Sequence, residues 1–401
     1  MRTISPTTGA ALQQLFFQVY RSGTLRTLRM DHSEAILASR EGLGMAVARL
    51  TTLKDLLLGA AGERCVQLLS ILRSRLVTAT IAFDCQDQRW IRATDSHYAP
   101  DTRDPVRLLA QSRETLIALD VSSPGYPSNH ISEYPLLTLL EIDSPTPPSV
   151  AHFLPAFPAL RCLNISGNCE NRSRWVDDDV LRTLNIAHQV LHGSWQSLNI
   201  VGASTFILWL MGLRCTVRWL NVSLMHDFEL DLLSDVLSDS RPTKVLLTIH
   251  EAAKFMDVRC LTALCSARIP RIKTLHLCVR LGCRDADLDV DLLLNTVQWV
   301  AQVLRLTSLK LILDCRDLVA HYHSDSFQSS GNKDVQWRTL HPIEVSLAFL
   351  SLGAVARRYQ SAVPTLFMTE VEVRQHFTRD DDTASASSRR GPLPALNSVE
   401  I

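Results

Sequence analysis

The chain has 401 residues, and its 41 Lys and Arg residues balance its 41 Asp and Glu residues, so no long-range field draws it toward nucleic acid or an anionic membrane. The longest strongly apolar stretch, Phe206 to Leu213, is far shorter than the roughly 20 residues that cross a bilayer, and residues 1–17 lack the apolar run and cleavage site of a secretory signal. We therefore expect a cytoplasmic or nuclear protein with no nucleic-acid partner and no membrane contact.

The most regular feature of the sequence is a repeat. Residues 160–168, Leu160-Arg-Cys-Leu163-Asn-Ile165-Ser-Gly-Asn168, fit L-x-x-L-x-L-x-x-N throughout, with Ile165 in the place of the third Leu. Looser apolar triplets lie on both sides, most of them spaced within or near the roughly 20–29 residues of such repeats. In chain order they are Leu25/Leu28/Met30, Leu53/Leu56/Leu58, Leu76/Ala79/Ile81, Leu116/Leu119/Val121, Leu137/Leu140/Ile142, Trp195/Leu198/Ile200, Val217/Leu220/Val222, a degenerate Lys244/Leu247/Ile249, Ile272/Leu275/Leu277 and Leu306/Leu309/Leu311.

Each triplet predicts a short strand followed by a helix. The last two apolar residues alternate with period two, as in a strand buried on one face. Segments between them, such as Leu233, Val236 and Leu237, have helical spacing. A strand–helix unit of this size buries its apolar face only against its neighbours. The fold class predicted for 1–377 is therefore an α/β leucine-rich-repeat solenoid, a horseshoe of about eleven repeats with a parallel sheet on the concave face and helices outside.

The two ends of the repeat region differ from its middle. Residues 340–361 predict helices, and Val371-Glu-Val373 alternates as a last strand, so 340–377 is a candidate C-terminal cap. After Phe377 the chain is rich in Asp, Ser and Arg, and it offers little to bury. We expect 378–401 to be a disordered tail.

The irregular repeat, the run Leu50-Thr-Thr-Leu-Lys-Asp-Leu-Leu-Leu-Gly59 and the segment Leu72-Arg-Ser-Arg-Leu76 resemble F-box/leucine-rich-repeat proteins of the expanded fungal kind. The resemblance covers about residues 20–375. It implies that the repeats capture a substrate protein for a cullin-type ubiquitin ligase, which an N-terminal F-box joins through an adaptor subunit. The opening of an F-box is missing before Leu25, where Ala10 to Tyr20 predict one amphipathic helix. We expect adaptor binding only where an F-box lies upstream.

The residue between the two apolar strand positions of each repeat should point out of the concave face. This row is a candidate protein-binding surface, with acidic residues near the middle that suit a basic, extended polypeptide. Its polarity is also what any strand exposed on one side would show. The row reads Arg29, Leu57, Thr80, Asp120, Glu141, Asn164, Asn199, Asn221, Thr248, His276 and Lys310.

Two motifs come near to metal sites. His188 and His192 share one helical face, as in H-E-x-x-H, but Gln189 stands where the general base belongs. Acidic residues alternate from Asp285 to Asp291 as in a calcium loop, but the turn Gly and the bidentate Glu of such a loop are replaced by Val290 and Thr296. We interpret the acids as a solvated loop before a helix at 292–304, with Asp291 as a candidate N-cap.

The remaining chemical motifs are incomplete. Gly42-Leu-Gly44 lacks the third glycine of a dinucleotide fingerprint, and His321, His323 and Asp325 lie in a Ser-rich segment typical of a loop. We expect no cofactor, no metal and no enzymatic activity. The predicted function is a protein–protein interaction module. The alternatives are a structural scaffold or non-functional fragment of a longer F-box gene, and, remotely, a metal-dependent enzyme.

Overall fold

The computed structural model divides the chain into two compact α/β units. Unit 1 comprises Met1–Ala203 and Ile207–Thr216, and unit 2 comprises Ser204–Phe206 and Val217–Ile401. Each unit consists of parallel strands that alternate with helices, which confirms the predicted class of α/β repeat fold. The structure describes residues 5–84, 103–125, 132–144, 150–167, 178–266, 272–320, 340–376 and 382–387.

Unit 1 contains parallel strands that pair in chain order. They are β1 (Thr27–Met30), β2 (Asp55–Ala61), β3 (Thr78–Phe83), β4 (Ala118–Ser122), β5 (Leu139–Asp143), β6 (Cys162–Ser166) and β7 (Ser197–Ser204). The helices of this part of the chain are α1 (Pro6–Ser22), α2 (Ser33–Ala38), α3 (Leu43–Ala48), α4 (Glu63–Ile71), α5 (Pro105–Leu108), α6 (Val150–Ala156), α7 (Asp178–His192) and α8 (Thr205–Met211).

Helix α1 shows how local sequence sets the boundaries of these elements. The Ser5 hydroxyl accepts a hydrogen bond from the Thr8 backbone N–H at 3.2 Å, and Pro6 supplies a first residue that needs no N–H partner. At the other end, Gly23 adopts φ 61°, a left-handed conformation that glycine enters without steric cost. The helix predicted over Ala10 to Tyr20 is confirmed and extended at both ends.

Unit 2 repeats the same alternation. Its parallel strands are β8 (Thr216–Leu224), β9 (Lys244–His250), β10 (Thr274–Arg280), β11 (Ser308–Asp314) and β12 (Met368–Arg374), and the antiparallel β13 (Asp382–Ser387) follows. Its helices are α9 (Glu229–Ser240), α10 (Ala252–Met256), α11 (Val258–Cys265), α12 (Val290–Leu304), α13 (Arg316–Ala320), α14 (Pro342–Ala348) and α15 (Leu352–Ala362).

The apolar residues of the triplets form the core under both sets of strands. Leu119 and Leu163 in unit 1 and Leu220 in unit 2 lie in strands, as predicted, and each has at most 1% of its surface exposed. The residue on either side of Leu163 is only half-buried, which is the alternation that a sheet covered on one face requires. Within the ranges that the structure describes, every helix is too short or too polar to cross a bilayer.

The register of β7 differs from the prediction by three residues. Val201, not Leu198, is paired with Leu163, and Gly202 is opposite Asn164. Asn199 is therefore exposed at the start of the strand rather than in the predicted row. The cause is Trp195, which served as the first apolar residue of the predicted triplet. Trp195 is buried just before β7, where its indole Nε1–H donates to the Phe157 carbonyl at 2.9 Å.

The register of β9 differs by two residues. Leu246, not Thr248, is opposite both Asn221 and His276. Val245, Leu247 and Ile249 are all buried, so both Val245/Leu247 and Leu247/Ile249 fit the apolar strand positions of a triplet. The local pattern gives no reason to prefer one pair over the other. Thr248 instead belongs to the next row of outward positions.

The C-terminal strands agree with the prediction in one place and differ in another. The strand predicted around Val371 and Val373 is confirmed as β12, which continues the parallel pairing beyond β11. Residues 382–387, within the predicted disordered tail, form β13 instead. An edge strand offers unpaired N–H and C=O groups with which a following segment can form hydrogen bonds. Residues 388–401 lie outside the described part of the chain.

Candidate binding face

The outward positions of unit 1 form one row across its strands. Successive Cα pairings join Arg29, Leu57, Thr80, Asp120, Glu141 and Asn164, and we call this row the unit 1 face. Adjacent strands lie about 4.8 Å apart, so neighbouring side chains of the row contact each other. The structure thus brings together four of the predicted site residues, namely Arg29, Asp120, Glu141 and Asn164.

Carboxylates are concentrated at the middle of the unit 1 face. Asp120 is directly opposite Glu141, and Asp143 lies two residues farther along the same strand as Glu141. Burial raises the pKa of Asp120, and the charges of Glu141 and Asp143 raise it further. In the part of the chain that the structure describes, no Lys or Arg forms an ion pair with these three groups. We call Asp120, Glu141 and Asp143 the acidic cluster.

The neighbours of the acidic cluster hold its geometry without neutralising its charge. The Asn164 side-chain amide donates to the Glu141 carboxylate at 3.0 Å, which orients that carboxylate along the face. Arg29 is three strands away from Asp120 and pairs with Asp31 at 2.9 Å, with both side chains largely exposed. The acidic cluster therefore retains an attraction for a cationic group brought to it from outside.

Unit 2 has an equivalent row with a different chemistry. Its Cα pairings join Asn221, Leu246, His276, Lys310 and Glu370, and we call this row the unit 2 face. Asn221, His276 and Lys310 are predicted site residues and occupy it as expected. Leu246 and Glu370 were not predicted, because the first requires the correct register of β9 and the second belongs to a strand that the repeat pattern placed in a cap.

The cation of the unit 2 face is held by carboxylates of the same protein. The Lys310 ammonium donates to Glu370 at 2.6 Å and lies 3.3 Å from Glu372. Arg374 donates to both oxygens of Glu372, at 2.5 and 3.0 Å. These contacts raise the pKa of Lys310, and they lower the pKa of Glu372, with Arg374 making the larger contribution there. This part of the face is electrostatically satisfied.

Aromatic contacts occupy the start of the unit 2 face. The His276 ring meets Trp219 edge-on with centroids 5.6 Å apart, and the Lys244 ammonium lies 5.5 Å from the Trp219 centroid. Burial lowers the pKa of His276, and the nearby Lys310 lowers it further. His276 is therefore half-buried, with its ring against Trp219.

The residues with metal-like spacing make ring contacts and hydrogen bonds within the protein. The rings of His188 and His192 contact each other on α7, with centroids 4.4 Å apart and ring planes tilted by 38°. Asp285 is buried and accepts hydrogen bonds from the backbone N–H groups of Ala252 and Gly282, so it joins two turns. Among the described residues, no three His, Cys, Asp or Glu side chains are arranged to hold a metal ion.

The helix expected at 292–304 is confirmed, with one difference at its start. It begins at Val290, and its N-cap is Asp289 rather than Asp291, because the Asp289 carboxylate accepts from the N–H groups of Asp291 and Leu292. The second histidine motif, at 321–325, lies outside the described residues.

No family model, curated protein or solved structure matches this chain. The resemblance to F-box/leucine-rich-repeat proteins therefore depends on the residues of the repeat alone.

Proposed function

We propose that the chain is a non-enzymatic protein-interaction module that holds a basic, extended polypeptide against the unit 1 face. The acidic cluster carries this proposal. Three carboxylates are held near one another on an exposed sheet face, and the repulsion between them contributes to the raised pKa of Asp120. A Lys or Arg side chain of a partner would relieve that repulsion. Part of the binding free energy would therefore come from removing an unfavourable interaction that is present in the free protein.

The polarity and spacing of the face fit an extended partner. Outward positions recur at about 4.8 Å from strand to strand, so a polypeptide crossing the strands meets Thr80, Asp120, Glu141 and Asn164 in succession. Basic residues of the partner would lie over Asp120 and Glu141, and neutral polar residues would lie over Thr80 and Asn164. The long-range part of such binding weakens as salt is added.

The test measures binding of Lys- and Arg-rich peptides to the whole chain by fluorescence anisotropy at low and high salt. We expect the double change Asp120→Asn with Glu141→Gln to weaken binding by about tenfold or more at low salt, since two close charge contacts are lost. The matched control is Asp287→Asn with Asp291→Asn, which changes the net charge equally at exposed positions of unit 2. Equal weakening by both variants would show nonspecific attraction and would contradict the proposal.

The resemblance suggests that the bound polypeptide is a substrate selected for ubiquitination, in the cytoplasm or the nucleus. The adaptor subunit of the ligase should not bind residues 1–401, because the opening of an F-box is missing before Leu25 and α1 supplies only one helix there. Isothermal titration of the purified chain with that adaptor tests this point. Tight binding would place a recruitment surface within the chain itself.

A structural scaffold is the alternative, and the same variants distinguish it. A scaffold gains nothing from an unneutralised acidic cluster, so removing the charges should then leave every association of the native protein unchanged. The interaction module predicts the opposite result for whichever protein co-purifies with the chain.

A further inference from the structure

Strand β13, Asp382–Ser387, covers the edge of β12 in unit 2. It pairs antiparallel with Met368 to Val373, whereas the strands from β8 to β12 pair with one another in parallel. Without β13, the N–H and C=O groups on this side of β12 would be unpaired, and such an edge can accept an extended segment of another chain. β13 thus occupies a position at which a strand of another protein could be added.

The sequence of β13 fits the core side of β12 poorly. Alternate residues of β12 on that side are fully buried, namely Thr369, Val371 and Val373. The β13 residues paired with them are, in the same order, Ala386, Ala384 and Asp382. Residues of these two types supply little apolar surface to a core position. The pairing of β13 therefore depends on backbone hydrogen bonds more than on buried side chains, and another extended segment can form the same backbone bonds.

One buried hydroxyl of β12 lacks a hydrogen-bond partner. Thr369 has 0% of its surface exposed, and its Oγ1 forms no hydrogen bond in the part of the chain that the structure describes. This is unfavourable, because a buried hydroxyl has lost its hydrogen bonds to water. Ala386 lies directly opposite, and the Cβ atoms of residues paired in this way are about 4.5–5.5 Å apart. A Ser or Thr in the place of Ala386 would therefore bring a second hydroxyl within reach of Thr369.

We propose that the edge of β12 is a docking site for an extended segment of another protein, which displaces β13 and pairs antiparallel with β12. The segment carries Ser or Thr opposite Thr369, so that the two hydroxyls form a cross-strand hydrogen bond. Opposite Glu370 and Glu372 it carries small uncharged residues, as β13 does, because both carboxylates already have cationic partners within the protein. β13 is the cover that the chain itself supplies for this site.

The buried hydroxyl favours a different protein over a second copy of this chain as the occupant. Exchange of β13 between two copies would reproduce each pairing of the single chain, including Ala386 opposite Thr369. The Thr369 hydroxyl would then remain without a partner. A segment with a hydroxyl at the position of Ala386 forms a hydrogen bond that β13 does not supply, so it competes with β13 at an advantage.

The test uses synthetic peptides that span residues 380–389, with a fluorescent label for anisotropy. One has the natural sequence, another has Ala386→Ser, and the last has Ala384→Ser. The two Ser peptides are isomers of equal charge and length. They differ in the residue of β12 that the new hydroxyl meets, which is Thr369 for the first isomer and the apolar Val371 for the second. The second isomer is therefore the matched control.

The receptor is the whole chain, either wild type or with Ser385→Pro and Ala386→Pro, which we call the detached variant. Neighbouring residues of an antiparallel strand direct their N–H groups to opposite sides, so one of the two prolines removes a donor to β12 and releases β13. We expect the Ala386→Ser peptide to bind the detached variant about tenfold more tightly than the Ala384→Ser peptide, because it gains one hydrogen bond. Wild type should bind each peptide more weakly, because β13 competes for the same edge.

A change at Thr369 itself checks that its hydroxyl is responsible. Thr369→Val keeps the shape of the side chain and removes the hydroxyl, so in the detached variant it should abolish the difference between the two isomeric peptides. In the wild-type chain, Thr369→Val should leave the thermal unfolding midpoint unchanged or raise it, since a buried group without a partner is removed. This measurement also shows that the changed chain still folds.

Four results would overturn the proposal. The first is that no peptide binds the detached variant at concentrations up to about 1 mM. The second is equal binding of the two isomeric peptides, because the Thr369 hydroxyl would then select nothing. The third is equal binding by wild type and the detached variant, because β13 would then not cover the site. The fourth is self-association of the detached variant in sedimentation velocity that excludes the peptides, because the edge would then belong to a second copy. None of these results depends on whether the unit 1 face binds a basic polypeptide.

Discussion

The unit 1 face and the unit 2 face are built from the same repeat and treat charge in opposite ways. In unit 2, Lys310 lies between Glu370 and Glu372, so charges on neighbouring strands neutralise one another. In unit 1, Asp120 is opposite Glu141, so neighbouring charges repel. The same outward position of the repeat thus carries charges that neutralise one another in unit 2 and charges that repel one another in unit 1.

This difference separates charges that stabilise the folded chain from charges that are available to a partner. Internal ion pairs such as Lys310–Glu370 have already exchanged water for a protein partner, so an incoming ligand must compete with them. Among the described residues the acidic cluster forms no ion pair with Lys or Arg, and its one side-chain hydrogen bond comes from the neutral amide of Asn164. Substitutions of the charged residues on each face can test whether the unit 1 face and the unit 2 face differ in how their charges are neutralised. Substitutions of the apolar residues beneath each face can test whether the two units share one kind of core.

The largest expected effect concerns the apolar positions beneath the two faces. Leu163 in unit 1 and Leu309 in unit 2 are each fully buried. Leu163→Ala and Leu309→Ala should each lower the free energy of unfolding by about 2–5 kcal/mol, because each leaves a cavity in close-packed core. Urea denaturation measures this, with the exposed Leu292→Ala as control. If either Ala substitution lowered the free energy of unfolding by less than about 1 kcal/mol, the cores of the two units would not be packed in the same way.

A smaller effect is expected at the neutralised face. Lys310→Met keeps the length of the side chain but leaves Glu370 and Glu372 without their shared cation, so we expect a loss of about 1 kcal/mol, limited by partial exposure of the pair. Thr248→Val, in the same sheet without an ion pair, is the control. Chemical denaturation at neutral pH gives the values.

The pH dependence of the Lys310 effect follows from two opposite shifts. The raised pKa of Lys310 means that its stabilising contribution is lost as the pH rises through a value above the ordinary 10.5. The lowered pKa of Glu372 means that its contribution is lost as the pH falls through a value below the ordinary 4.5. Wild type and Lys310→Met should therefore differ most between these limits. A difference that persisted at strongly acidic pH would show that packing, not charge, is responsible.

Much of this fold could be predicted from the sequence, because buried positions impose a pattern that exposed positions do not. The triplets of β1 to β6 could be located from the sequence because their apolar residues must point into the core. Leu163 of β6 is an example. In β7 the signal fails because Trp195, which is buried just before the strand, fits the first position of a triplet three residues too early. In β9 it fails because three alternating apolar residues satisfy two registers. Only the neighbouring strands decide between them.

The candidate site is less predictable, since it depends on which strands become neighbours. The pairing of Asp120 with Glu141 follows from the repeat, because both occupy the same position of adjacent triplets. Glu370 and Glu372 could not be assigned to Lys310 in advance, because the sequence separates them from Lys310 by about 60 residues and contains no regular triplet between.

The smallest expected effect on stability, and the most direct comparison with Lys310, comes from Asp120→Asn. Burial and the charges of Glu141 and Asp143 raise the pKa of Asp120 in the folded protein, so folding favours the protonated form. A raised carboxyl pKa means that stability falls as the pH rises through it, which is the reverse of the behaviour of Glu372. At neutral pH, Asp120→Asn should therefore increase the free energy of unfolding by about 0.2–1 kcal/mol, a value that allows for solvent screening of a half-exposed group.

The gain should disappear at acidic pH, where wild-type Asp120 is protonated and resembles Asn. Asp287→Asn, an exposed change of equal charge, should show neither effect. If Asp120→Asn destabilises the protein at neutral pH, the carboxylate is held by favourable contacts, and the unit 1 face is satisfied internally just as the unit 2 face is.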